Sequence, residues 1–331
     1  MKNRRWVIAQ TPTGAIGLEH FRLAEEEAPA AAPGKLLVRN LMLSIEPSNA
    51  LSMKAKSYMP QILPGELMRS FGLAEIVHAD APGFSRGDIV EGHIGWQEWA
   101  LVDPAAVRQR DRALTLETLI GLVGISGITA YYGMLEIGRV RAGETVLVSA
   151  AGGAVGNIAV QIAKIAGCRV IGVAGGADKC AWLQSEYGLD GVADYKAGDL
   201  AGALRAAAPE GVDYYFDNTG GAVLEAAIGA MKTGGRIGLC GVVGQVGDDP
   251  ERGVRGVPLA LILKRITMQG FLLTDYTPAQ RQRAEAPMLR WQKEGRLKAP
   301  MHVLQGLESA PQALIDMLAG RNRGKTAVRL S

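Results

Sequence analysis

Cysteine is scarce in this chain. Its three cysteines, Cys168, Cys180 and Cys240, are scattered, odd in number and free of any C-x-x-C spacing. That excludes a disulfide framework and a zinc knuckle, and leaves small buried thiols in a reducing compartment. Histidine is nearly as rare. His20, His78, His93 and His302 lie far apart, and none shares a ligand motif with a cysteine, so no metal is expected. Charge of one sign is lacking too. The formal net charge is +3, with no basic block and no like-charge tail, so no nucleic-acid partner is expected. No apolar run approaches the ~20 residues of a membrane span. Met1-Lys2-Asn3-Arg4-Arg5-Trp6 is basic but leads into no apolar stretch of the kind a signal peptide needs. The expected location is the cytoplasm, with no membrane partner.

What is present is length, glycine and alternation. At 331 residues the chain exceeds the ~250–300 at which single cores stop growing, so two domains are expected. Its 43 glycines and 48% hydrophobic content fit a glycine-punctuated α/β protein. The first part reads as short strands: Arg5–Gln10, Phe21–Ala24, Lys35–Ser44, Phe71–Ala79, Ile89–Ile94 and Trp96–Val102. Pro33-Gly34, Pro64-Gly65, Pro82-Gly83 and Gly87-Asp88 break them, which predicts a twisted β-barrel-like domain. Leu119–Glu136 has helical periodicity. From Thr145 onward strands and helices alternate, with predicted strands at Thr145–Ser149, Arg169–Val173, Gly191–Asp194, Val212–Asp217, Gly235–Val243 and Ile266–Leu273. That is the signature of a doubly wound parallel sheet. A last strand, Lys325–Leu330, is expected to return to the first domain.

The richest stretch runs from Thr145 to Cys180. An apolar run ends in Ala151-Gly152-Gly153-Ala154-Val155-Gly156, a helical pattern follows, and then comes a second apolar run, Arg169-Val170-Ile171-Gly172-Val173-Ala174. Strand, glycine turn, helix, strand is the unit that binds a dinucleotide. Gly153 lets the backbone approach a pyrophosphate, and Gly156 lets the helix lie tight on the strand. The free N–H groups and positive dipole end of that helix then face the phosphates. An acid at the end of the second strand would bond a ribose 2′-hydroxyl and repel a 2′-phosphate. Here Gly175-Gly176-Ala177 occupies that place, with Lys179 close by and Tyr195 after the next strand. An open corner beside a cation favours NADP over NAD.

Val148-Ser149-Ala150-Ala151-Gly152-Gly153-Ala154-Val155-Gly156, Gly127-Ile128-Thr129-Ala130-Tyr131-Tyr132-Gly133, Phe216-Asp217-Asn218-Thr219-Gly220-Gly221 and Asn322-Arg323-Gly324-Lys325-Thr326 resemble the zinc-independent, NADPH-dependent alkenal and enone reductases. These belong to the medium-chain dehydrogenase/reductase superfamily. Lys54–Pro60, Gly95-Trp96-Gln97-Glu98-Trp99 and Met268-Gln269-Gly270-Phe271 lean toward its bacterial curcumin-reductase subgroup. The resemblance implies an α/β fold, a Rossmann doubly wound parallel sheet plus a GroES-like β-barrel domain. Its expected division is 1–120 for the substrate domain, 121–300 for the NADP-binding domain and 301–331 for the return to the substrate domain. It implies NADPH, held by Thr129, Gly153, Ala154, Val155, Gly156, Gly175, Lys179, Tyr195, Asn218 and Asn322, and a homodimer formed through the Rossmann domain.

The implied reaction is hydride transfer to the β-carbon of an α,β-unsaturated ketone or aldehyde, without metal. Negative charge then grows on the carbonyl oxygen and needs a hydrogen-bond donor. Tyr58, in the Ser57-Tyr58-Met59-Pro60 loop, is the first candidate donor and Tyr276 the second. Trp96 and Phe271 are the candidate apolar wall. Glu46-Pro47-Ser48-Asn49-Ala50 departs from the family, where an aromatic residue and an arginine often follow the early strand. A zinc-free quinone reductase and a silent NADPH-binding protein share the same cofactor residues and are the alternatives.

Overall fold

The computed structural model describes residues 1–55, 59–242, 254 and 256–330. The chain divides into two compact units. The first comprises Met1–Ile120, Met301–Asn322 and Thr326–Ser331; the second comprises Gly121–Pro300 and Arg323–Lys325. The tail therefore does not belong wholly to the first unit.

The first unit is built mostly on antiparallel strands. Its main sheet runs in the order Met301–Gln305, Lys325–Arg329, Leu36–Ser44, Phe71–Ala79, Ile89–His93 and Val107–Arg110, and Trp99–Val102 also pairs with Leu36–Ser44. Lys2–Ile8 and Phe21–Glu27 form a separate pair. Alternate residues Leu36, Val38, Ala74, Ile76 and Val90 close one core, the period-two pattern of a half-buried sheet. Glu46–Ala50 falls at the start of a short helix, Pro47–Lys54. Proline occupies its first turn, and the Asn49 side chain accepts from the Glu46 N–H at 2.8 Å.

The second unit is a six-stranded parallel sheet among the described residues. Its order is Gly191–Asp194, Arg169–Ala174, Thr145–Val148, Val212–Asp217, Met231–Leu239, Thr267–Gly270. In chain order that is 3-2-1-4-5-6, with helices as the crossovers. The inner strands are buried on both faces, as a covered parallel sheet requires. Alternation sorts the side chains of Val212–Asp217. Tyr215 joins Leu147, Ile171 and Ile237 in one core, while Tyr214 and Phe216 pack the other face. Both tyrosine hydroxyls of this strand find an acceptor: Tyr214 donates to the Gly133 carbonyl at 2.6 Å, and Tyr215 to Asp217 Oδ1 at 2.6 Å.

Two expectations need correction. The strand expected at Gly235–Val243 begins earlier, at Met231, and ends at Leu239; Val243 lies outside the described residues. Thr118–Ile137 is 20 residues of helical turns, long and apolar enough by length and composition to cross a membrane. Most of it is buried inside the protein, as in a core helix.

Candidate functional site

The strand order reverses between Thr145–Val148 and Val212–Asp217, and a crevice for ligands opens at the carboxyl ends of such a pair. The turn after Thr145–Val148 is stitched to both neighbours there. Ser149 N–H donates to the Phe216 carbonyl at 3.2 Å, and Ala151 N–H to the Val173 carbonyl at 3.0 Å. Asp217 ends the partner strand, almost fully buried. Its Oδ1 accepts from Ser149 Oγ, Tyr215 Oη, Thr219 N and Gly220 N. Asn218 donates its N–H to Ser149 Oγ at 2.8 Å and its Nδ2 to the Ser149 carbonyl at 2.9 Å. Asn218 thus locks the two strand ends together.

The helix Gly156–Ile165 starts directly on this turn. A Cβ at Gly156 would lie 2.2 Å from the Ala150 carbonyl oxygen, so only glycine permits the approach. Gly153 N–H is already spent on the Ala150 carbonyl at 2.8 Å. Gly153 therefore supplies room rather than a donor. The N–H groups of Ala154 and Val155 have no acceptor among the described residues, and no side chain caps the helix. Two open donors at the positive end of a helix fit a pyrophosphate.

The corner beside them is cationic. The Lys179 stem crosses Gly152, where a Cβ would lie 2.8 Å from Lys179 Cδ. Burial, then the neighbouring charges of Lys196 and Arg323, push the Lys179 ammonium below its usual range. Tyr195 lies against Gly175, whose missing Cβ would meet its ring at 2.7 Å. Lys196 Nζ is 5.9 Å from the centre of that ring. The Arg323 guanidinium lies 5.4 Å from the Trp182 ring centre. One acid is near. Asp194 Oδ1 accepts from the Gly176 and Lys196 N–H groups, both at 2.9 Å, and these bonds hold its carboxyl below the usual range. That oxygen is committed to shaping the turn. Three cations around an open, small-residue corner fit a 2′-phosphate.

A family model described as zinc-binding dehydrogenase matches residues 154–293, and one described as N-terminal domain of oxidoreductase matches residues 4–109. NADPH-dependent curcumin reductase of Escherichia coli is 36% identical over 340 residues, covering 100% of this chain and 97% of that protein. (+)-Pulegone reductase of Mentha piperita is 39% identical over 312 residues, covering 92% and 90%. The crystal structure of CurA from Vibrio vulnificus in complex with NADPH aligns with a TM-score of 0.94 at 36% identity, over 99% of each chain. The chain belongs to the NADPH-dependent enone and alkenal reductases of the medium-chain dehydrogenase/reductase superfamily.

In this family member the other expected site residues fall as follows. Thr129 is in the second turn of the helix Ile125–Tyr132 and donates its hydroxyl proton to the Ile125 carbonyl at 2.7 Å, so that proton is spent within the helix. Asn322 is buried and belongs to the first unit. Tyr58 lies outside the described residues. Tyr276 stacks on Tyr132 with ring centres 3.8 Å apart, and burial pushes its hydroxyl pKa up, aided by Glu136, Tyr132 and Asp275. Phe271 stacks on Phe216 at 6.2 Å and lies 3.1 Å from the place of a Gly133 Cβ, so its ring packs the sheet. Trp96 is a correction. It has 0% exposure and stacks on Phe21 at 5.6 Å in the first unit, so it is core and offers no wall to a substrate.

Sequence reading missed Gly152, Trp182, Lys196 and Arg323. Lys196 had a signal, adjacency to Tyr195. Arg323 had none that spacing reveals, because topology alone brings it to Trp182. Burial raises the thiol of Cys168 to about 11 and that of Cys240 to about 12, and raises that of Cys180 as well.

Proposed function

We propose that this protein uses NADPH to reduce the carbon–carbon double bond of α,β-unsaturated ketones or aldehydes. The observation that carries the reading is the glycine turn of the second unit, where two open backbone donors adjoin a cationic corner. The relatives' named activities supply the substrate class. When bound, the coenzyme supplies hydride. The chain's own residues hold and orient. Ala154 and Val155 meet the pyrophosphate through their N–H groups, Gly156 brings the helix close enough for them to do so, and Lys179 and Tyr195 meet the 2′-phosphate beside Gly175. Asn218 fixes the crevice edge. Thr129 completes the cofactor set of the second unit. Tyr276 keeps its proton throughout the physiological range, which suits a hydrogen-bond donor to the substrate oxygen better than an acid that must give its proton away. Tyr58 is the alternative donor.

The reading is tested by offering 1-octen-3-one, a hydroxyalkenal and a quinone with NADPH and following nicotinamide absorbance. Oxidation with the enone and alkenal is expected. Turnover of the quinone alone would move the assignment to a quinone reductase, and turnover of none would leave a silent binder.

Three finer readings accompany it. The enzyme works without zinc, a reading supported by the lack of any cluster of three metal-ligating side chains among the described residues; chelation should leave its rate unchanged. It works in the cytoplasm, supported by three free thiols. It forms a homodimer through the second unit. Thr267–Gly270 is an edge strand, and the helix Val257–Lys264 exposes Leu259, Ile262 and Leu263 at 61%, 70% and 62%. Ile262→Glu is expected to shift the mass measured by light scattering from dimer to monomer; a wild type already monomeric would refute the reading.

A further inference from the structure

We propose that Arg323, presented by the Arg323–Lys325 segment and backed by Trp182, is a third reader of the coenzyme's 2′-phosphate. The inference rests on the NADPH reading above and goes beyond its assigned contacts.

The segment is fixed to the second unit at two points. Gly324 N–H donates to the Gly152 carbonyl at 2.9 Å, and Lys325 N–H to the Pro300 carbonyl at 3.0 Å. Gly324 has φ +74°, and a Cβ there would lie 2.0 Å from the Pro300 oxygen, so glycine sets the bend. Gly152 is the common floor. Its carbonyl holds the segment, the Lys179 stem crosses it, and a Cβ on it would lie 3.5 Å from Trp182 Cζ3. Arg323, Lys179 and Trp182 thus converge on one residue of the phosphate-binding turn.

Neither Arg323 nor Lys196 forms an ion pair among the described residues, and the Asp194 oxygen near them is bound to two backbone N–H groups. Gathering like charges costs free energy unless an anion completes the site. A dianionic phosphate ester does so. Arginine suits the task, because its planar fork can grip two phosphate oxygens while its face rests on an aromatic ring. Trp182 supplies that face and holds the guanidinium in place at little entropic cost. Trp182 itself is braced edge-on by Tyr187, with ring centres 5.5 Å apart.

The experiment is calorimetric titration of the full chain with 2′-AMP and with 5′-AMP. Wild type is expected to bind 2′-AMP more tightly. Arg323→Ala is expected to weaken 2′-AMP about tenfold and to leave 5′-AMP within about twofold, the scale of one charge-assisted contact. Arg323→Lys should recover part of the loss, since charge returns without the fork or the stack, and Trp182→Leu should lose part of it. Wild-type 2′-AMP affinity in Arg323→Ala would overturn the inference, as would equal weakening of both nucleotides, which marks a structural role. A wild type indifferent to the position of the phosphate would instead overturn the NADPH reading itself.

Discussion

Gly156→Val is expected to destabilise the protein by about 3 kcal/mol or more and to abolish NADPH uptake, because overpacking against fixed backbone is among the costliest substitutions. The added Cβ would meet the Ala150 carbonyl oxygen at 2.2 Å, the Ala150 carbonyl carbon at 2.8 Å and Ala151 Cα at 2.9 Å. All three are main-chain atoms, so no rotamer change relieves the clash. Ala150 already has φ +47°, a conformation that side chains resist. The turn cannot retreat without breaking the Ser149 and Ala151 hydrogen bonds to the flanking strands. The helix must therefore lift, which carries the Ala154 and Val155 donors away from the phosphates. Thermal unfolding with and without NADPH reads both effects. A wild-type midpoint with a normal rise on adding NADPH would show that the close approach does not matter.

Lys179→Ala is expected to raise KM for NADPH about 100-fold and to leave KM for NADH within about twofold. A charge-assisted hydrogen bond to phosphate is worth about 1.5–3 kcal/mol, and a 2′-hydroxyl does not form it. Lys179 should exceed Arg323 in effect because its ammonium is half-buried, where screening by solvent is weaker. Initial rates with both coenzymes test this. Equal rises for NADPH and NADH would show that Lys179 does not read the 2′-phosphate.

The parts of the fold legible in the sequence are those whose cause is local. Thr145–Val148, the glycine turn and the helix after it follow from an apolar run, glycine spacing and a 3.6-residue stripe within some twenty residues. Phe71–Ala79 follows from its own composition and flanking turns. The helix Pro47–Lys54 was missed because Pro-Ser-Asn-Ala-Leu-Ser-Met-Lys carries no apolar stripe. Its signal was the cap, Glu46 with Pro47 and Asn49. Met231 begins a strand that pairs with Val212, four residues before the expected start at Gly235, and pairing is a non-local fact. Trp96 looked like a cleft wall because aromatics suit both core and ligand surfaces. Stacking on Phe21, distant in sequence, decides it. The site divides the same way. The turn and Lys179 were readable from the motif, whereas Arg323 reaches the corner only because the chain returns across Gly152 near its end.

The most direct test of the central claim follows a label. NADPH carrying deuterium at the reactive C4 position, incubated with the protein and an enone, should yield the saturated ketone with deuterium on the β-carbon and its carbonyl intact. Deuterium on a carbinol carbon, or recovery of unlabelled enone after long incubation, would contradict it.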